Sequence, residues 1–218
     1  MFTKIYYKTK EILIFILNIF KYIITFIISF IFVFFLQDIF KFNDDIGFSL
    51  VLVLSTSLFI VLLKIENKSI KEYLKIHKIS FKTILILISF TLISMLFDAI
   101  IIEILDNFIV PNTQDDTILY FWSILHLAIL APICEEIIFR GILFQKLKEI
   151  MPLFLSIIIQ GFIFGIVHGS FIQSLLAGFS GILYALVYNY KKNLTLPILI
   201  HAFNNIFLII LNLLFPNL

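Results

Sequence analysis

Charge is scarce in this chain. Only 14% of its 218 residues are Asp, Glu, Lys or Arg, against 61% hydrophobic, where a soluble domain carries about 25% charged and roughly 45–50% apolar residues. A water-soluble globule is therefore excluded. Cysteine is almost absent: Cys134 stands alone, so there is no intrachain disulfide and no Cys-based zinc site. A single cysteine among Ile and Leu reads as core rather than as a nucleophile. No basic patch interleaved with exposed aromatics suggests nucleic acid. HExxH, a P-loop and a GxSxG elbow are all missing, and no internal repeat is evident. The N-terminus is basic and leads into an apolar run without a small-residue cleavage site, which reads as an uncleaved first span rather than a signal peptide.

What remains is hydrophobic, with 27 Phe and many Ile suited to lipid contact. The expected fold is all-α, a polytopic transmembrane helix bundle of a multi-pass cell-membrane protein. A spanning helix needs about 20 apolar residues. The runs Ile12–Leu36, Ile46–Leu63, Thr83–Leu105, Ile118–Cys134, Pro152–Val167, Phe171–Tyr190 and Leu194–Leu214 predict about seven spans, within six to eight. Lys21 interrupts the first run, either snorkelling or ending an interfacial stretch at Lys4–Phe20. Lysines collect before span one, in 64–82, around 140–148 and at 191–192, whereas Asp38, Asp44, Asp45, Asp106, Asp115 and Asp116 fall in the alternate loops. The positive-inside rule then places the N-terminus in the cytoplasm. The lysine-rich 64–82 segment reads as an ordinary connector, with a headgroup- or substrate-binding surface as its functional alternative. Two parts are distinguished: 1–117, N-terminal spans with a basic loop, and 118–218, which holds nearly all the ionisable groups at membrane depth.

Those groups begin with Ala131-Pro132-Ile133-Cys134-Glu135-Glu136-Ile137-Ile138-Phe139-Arg140. Charges at bilayer depth cost about 2.5–3.5 kcal/mol each on insertion scales, face protein or water, and mark function by default. Glu136 and Arg140 are four apart and share a helix face. Glu135 is rotated by about 100°, free to face a cavity while its neighbour is neutralised. A turn at Pro152 lies about 15 residues after Glu135 and about 16 before His168. An antiparallel hairpin therefore sets both roughly 23 Å from the turn, at one height. His201 and Asn205 share a face on the last span, with Asn204 as the alternative partner. His201 is only roughly 13 Å from Lys192, a mismatch that tilt, a kink at Pro197 or a re-entrant start would absorb. Asp98, deep in span three, reads as bonded to Ser94 or a neighbouring helix, Glu103 as reaching water, and His126 and His77 as polar residues without a chemical role.

A carboxylate, two imidazoles and an amide suit amide hydrolysis. Glu135 with His168 would activate a water, and His201 with Asn205 would donate to the oxyanion. Alternatively, Glu135, His168 and His201 would form a His2Glu site for Zn2+ with an open position.

Glu-Glu-x-x-x-Arg at 135–140, Phe-x-x-x-His at 164–168 and His-x-x-x-Asn at 201–205, in this order on successive spans, resemble the CAAX protease and bacteriocin-processing (Abi) family over roughly 118–210. The resemblance implies a multi-helix intramembrane endopeptidase acting on a membrane-associated peptide or protein. Glu135 would be the catalytic glutamate, assisted by His168. Glu136 and Arg140 would support the site, and His201 and Asn205 would form its oxyanion side, with either a metal or a metal-independent glutamate mechanism. The competing readings are a non-catalytic bacteriocin-immunity or scaffold protein and a small proton-coupled carrier. The carrier would be favoured by inverted repeats, which the sequence lacks.

Overall fold

The computed structural model describes residues 2–105 and 121–214. Its elements are α1 (Phe2–Phe40), α2 (Asp44–Ile65), the short α3 (Ile70–Leu74) and α4 (Phe81–Leu105), followed by α5 over 121–150, α6 (Leu153–Ile166), α7 (Phe171–Lys191) and α8 (Thr195–Leu214). The chain is an all-α multi-pass membrane bundle. Five helices are long and apolar enough to cross a bilayer: Ile19–Phe40, Asp44–Ile65, Thr83–Ile104, Phe171–Lys191 and Thr195–Leu214. The other two expected spans take different forms. The fourth runs on past the glutamates to residue 150, and the fifth is a helix of only 14 residues. Asp106, Asp115 and Asp116, and the first residues of the fourth run, lie outside the described residues.

α1 is one continuous helix of 39 residues, about 58 Å long, well beyond the roughly 30 Å of hydrocarbon. Lys21 does not stand free in its apolar stretch: its ammonium pairs with Glu66, the C-cap of α2. Tyr22 Oη also donates to Glu66 (2.9 Å), and Lys146 Nζ reaches the same carboxylate at 2.8 Å. Burial would raise the Glu66 pKa, but these three donors outweigh it and hold it below the usual carboxylate range. One acid thus ties the first span to α2 and α5.

Side-chain caps set several helix starts. Asn43 Oδ1 accepts from Ile46 N before α2, and Ser170 Oγ from Gln173 N before α7. Glycines set the closest helix pair. A Cβ on Gly165 of α6 would lie 2.3 Å from the Ser174 carbonyl of α7, and one on Gly161 2.5 Å from Ile182 Cγ1. Gly161-x-x-x-Gly165 is thus a small-residue face that lets α6 and α7 approach backbone to backbone, as between membrane helices generally. α3 tucks beneath α5, where Leu74 Cδ2 would be 2.7 Å from a Cβ on Gly141. The main core gathers Leu63, Phe144, Tyr188 and Leu194, with Tyr188 Oη donating to the Tyr73 carbonyl (2.7 Å).

Candidate active site

α5 owes its shape to two wide turns. π-helix covers His126–Leu130 and Ile137–Leu143, on either side of the α-helical Ala131–Glu136. Ala131 N–H donates to the His126 carbonyl and Phe144 N–H to the Phe139 carbonyl, five residues back. Pro132 has no N–H to offer to residue 128, and a π turn just before it absorbs that broken register. The two glutamates therefore sit on a short α segment between two widened ones. The Leu127 carbonyl, inside the first π turn, accepts Asn205 Nδ2 of α8 at 2.8 Å.

Glu136 and Arg140 are both fully buried. Arg140 Nη1 donates to Glu136 Oε1 at 2.7 Å, and Nη2 donates to the Gly181 carbonyl at 3.2 Å. The guanidinium lies over the Phe164 ring, 4.2 Å from its centroid, and 5.1 Å from that of Tyr184. His201 Nδ1 meets the same Glu136 oxygen at 3.0 Å. An ionised carboxylate only accepts, so this nitrogen carries the proton. His201 Nε2 lies 3.9 Å from Glu135 Oε2. Glu136 Oε1 thus has two neighbours, whereas Oε2 of Glu136 and Oε2 of Glu135 are both buried without a hydrogen-bond partner among the described residues.

Glu135 lines a cavity of about 590 Å³, and His168 lines it too. His168 Nδ1 lies 2.6 Å from the Phe164 carbonyl. A carbonyl has no proton to give, so Nδ1–H donates and Nε2 is left as the lone pair. Apart from Lys146 and His126, the other walls are apolar, among them Tyr22, Phe26 and Phe30 of α1, Val51 and Phe59 of α2, and Phe139 and Ile142 of α5.

The structure also brings in a residue that the sequence reading set aside. His126 lines the same cavity, with Nδ1 2.8 Å from Ser49 Oγ. The one Ser49 proton goes to the Asp45 carbonyl (2.7 Å), so His126 Nδ1 is the donor and its Nε2 an acceptor. Its only sequence signal is its place six residues before Pro132. Asn204, the alternative partner, points elsewhere: it is buried and donates to Ser94 Oγ and Tyr184 Oη, both at 2.8 Å. Ser94 in turn meets Ser180 at 2.9 Å rather than Asp98, whose Oδ1 is buried without a partner among the described residues. Cys134 is buried.

The ligand set Glu135, His168 and His201 is not gathered around a point. Among the described residues, no three His, Cys, Asp or Glu side chains stand close enough to hold a metal ion. The residues present therefore do not fit a His2Glu metal centre, and no step below passes through one.

Residues 117–207 match a model of the family described as type II CAAX prenyl endopeptidase Rce1-like. The putative membrane peptidase YdiL of Bacillus subtilis (strain 168) is 40% identical over 86 residues, 39% of this chain and 35% of that protein. The membrane-embedded CAAX protease MroQ of Staphylococcus aureus (strain USA300) is 29% identical over 99 residues, 43% and 40% of the two chains. The matched stretch thus spans between a third and two-fifths of these relatives. No solved structure matches. By its three ordered motifs and this match, the stretch of residues 117–207 is similar to the CAAX protease and bacteriocin-processing family.

Proposed function

We propose that this protein is an intramembrane endopeptidase, hydrolysing a peptide bond in a membrane-associated peptide or protein with 118–218 as its catalytic part. The observation that carries the reading is the Glu135 carboxylate. Among the described residues one of its oxygens is buried without a hydrogen-bond partner, its side chain lines an apolar cavity beside His168, and its neighbour Glu136 is held through one oxygen by Arg140 and His201. A group kept free of partners at such a wall suits a base better than a strut.

The steps follow from the side chains. An apolar peptide segment enters the cavity and excludes water. Glu135 and the bare Nε2 of His168 accept hydrogen bonds from one water, and Glu135 takes its proton as the oxygen attacks the scissile carbonyl carbon. The negative charge moves to the carbonyl oxygen. The second N–H of the Asn205 amide is the donor proposed for it, joined by His201 through Nε2–H when that ring carries both protons, because its Nδ1–H is already given to Glu136; each well-placed donor is worth about 10²–10³ in rate. Glu135 then passes its proton to the departing amine as the C–N bond breaks, leaving a carboxylic acid and an amine. Arg140 and Glu136 keep His201 oriented. A lipid-modified CAAX-type sequence, or a bacteriocin-type or other peptide precursor, would meet the apolar lining in the same way. The names of the relatives, a membrane peptidase and a CAAX protease, support this class of substrate.

The test is cleavage of membrane-protein substrates by the purified protein, for wild type and Glu135→Gln, together with metal content. Activity that survives a chelator and falls about 10²–10⁴-fold in Glu135→Gln is the expected result. Stoichiometric metal lost together with activity would replace the glutamate mechanism by a metal-dependent one. Full activity in Glu135→Gln would remove the assignment of the base.

A further inference from the structure

Three lysines from three separate parts of the chain converge where the helices end. Lys75 follows α3, with its backbone in the left-handed region (φ 47°). Lys148 lies in the last turn of α5. Lys192 is the C-cap of α7, also left-handed (φ 51°). The strands of chain that carry them are bonded together. Leu194 N donates to the Lys75 carbonyl (3.1 Å), and Asn193 Oδ1 and Nδ2 bridge the N–H and carbonyl of His77 (both 3.1 Å). Asn189 Oδ1 accepts from Lys192 Nζ at 2.6 Å and from Lys148 Nζ at 3.4 Å. The two ammonium groups therefore lie within about 6 Å of each other, at the reach where like charges repel appreciably.

Among the described residues, no carboxylate pairs with these three lysines. The nearest acid along α5, Glu149, is taken by Tyr73 Oη (2.6 Å) and Lys68 (3.2 Å). Glu72, across a shallow recess from Lys148, has its side chain exposed. Burial, then Lys192, then Lys75 lower the Lys148 pKa to about 8. The fold holds three cations together although burial and their repulsion weaken one of them, and one neutral amide oxygen is the shared acceptor of Lys148 and Lys192.

We propose that Lys75, Lys148 and Lys192 form a binding site for a phosphate-bearing anion at the membrane surface, with a lipid phosphodiester headgroup as its occupant. Basic pockets between helix ends are suited to such headgroups, and three rotatable ammonium groups can surround a compact anion. The site is separate from the cavity that Glu135 lines, so it stands apart from the peptidase reading. Anion binding restores full protonation of Lys148. The gain therefore shrinks as pH rises from 7 through about 8 and that lysine loses its charge. The charges facing Lys148 through this change are Lys192 from the α7–α8 turn and Lys75 from the segment after α3, with Glu149 on its own helix already paired.

The test uses the full chain in phosphatidylcholine nanodiscs, with and without phosphatidylglycerol, and reads the thermal unfolding midpoint. Wild type gains about 3–5 °C with phosphatidylglycerol. The triple variant Lys75→Gln, Lys148→Gln, Lys192→Gln loses most of that gain. A control triple on exposed positions, Lys64→Gln, Lys71→Gln, Lys78→Gln, keeps it. Inorganic phosphate at 10 mM in phosphatidylcholine alone separates the sources: a gain from lipid only assigns the headgroup, and an equal gain from phosphate makes the free ion the occupant. Absence of a gain from either ligand in wild type, or an equal loss in both triples, overturns the site.

Discussion

Adjacent glutamates with different surroundings are the centre of the candidate site at the scale of single residues. Their division follows from one turn of helix: Glu136 points to Arg140, four residues on, and Glu135 is rotated out to the cavity. That much could be read from the sequence, because i,i+4 pairing is local, and counting residues from the Pro152 turn also brings His168 to the same level. His126 could not be read. Its place depends on a π turn and on Ser49 from another helix, neither of which leaves a periodic trace. Its Nε2 is an acceptor at the cavity wall, suited to a backbone N–H of a bound peptide. His126→Phe is expected to lower kcat/KM about tenfold, mainly through KM, while His126→Gln, which keeps an acceptor at that position, retains most of it. Equal losses in both, borne by kcat, would instead mark proton transfer. The Asn205 amide is likewise only half free, because the Leu127 carbonyl holds one of its two N–H groups.

Among the helices, the α6–α7 pair controls where the site stands. His168 follows α6, and its position relative to α5 is no better than the fit of α6 to its neighbour. Gly165 should not tolerate a methyl group: the 2.3 Å approach to the Ser174 carbonyl involves backbone that cannot yield. Gly165→Ala is expected to cost about 1–3 kcal/mol, lowering the unfolding midpoint by roughly 5 °C. Gly178→Ala, whose nearest neighbour would be 3.5 Å away, is expected to stay within about 1 °C of wild type. The two measured side by side separate close approach from a general intolerance of α7. The run Pro152–Val167 was legible as an apolar helix. Its brevity was legible too, since the run and the observed Leu153–Ile166 differ by one residue at each end, but the spacing of Gly161 and Gly165 acquires meaning only opposite Ser174 and Gly178.

Taken whole, the molecule does not divide as neatly as its sequence. Polar residues crowd into 118–218, yet α1 and α2 supply much of the cavity wall, so the N-terminal spans complete the site they seem to precede. Periodicity finds spans but not their neighbours, which is why this was hidden. Glu66 fastens that wall through Lys21, Tyr22 and Lys146. Its pKa is lowered in the folded state, so its stabilising effect is present above the ordinary carboxylate value of about 4.3 and fades as pH falls below it. Glu66→Gln should therefore unfold at a lower temperature than wild type at pH 7. The two midpoints should converge below about pH 4, and a gap unchanged by acid would show that the clasp does not act through charge. The structure also brings the 64–82 segment, the end of α5 and the α7–α8 turn to one face, through Lys68–Glu149 and Leu194–Lys75 contacts.

The short reach of α6 has a last consequence. Fourteen residues rise about 21 Å, whereas the hydrocarbon of a bilayer is about 30 Å thick. One end begins beside the charged residues Lys148 and Glu149, at the level of the headgroups. The other ends at His168 well below the opposite surface, in a turn whose backbone is no longer helical. Lipid cannot solvate such a turn, so protein or water must surround it. The proposed hydrolysis consumes one water for every bond broken, and the turn that carries His168 opens on the cavity that Glu135 lines.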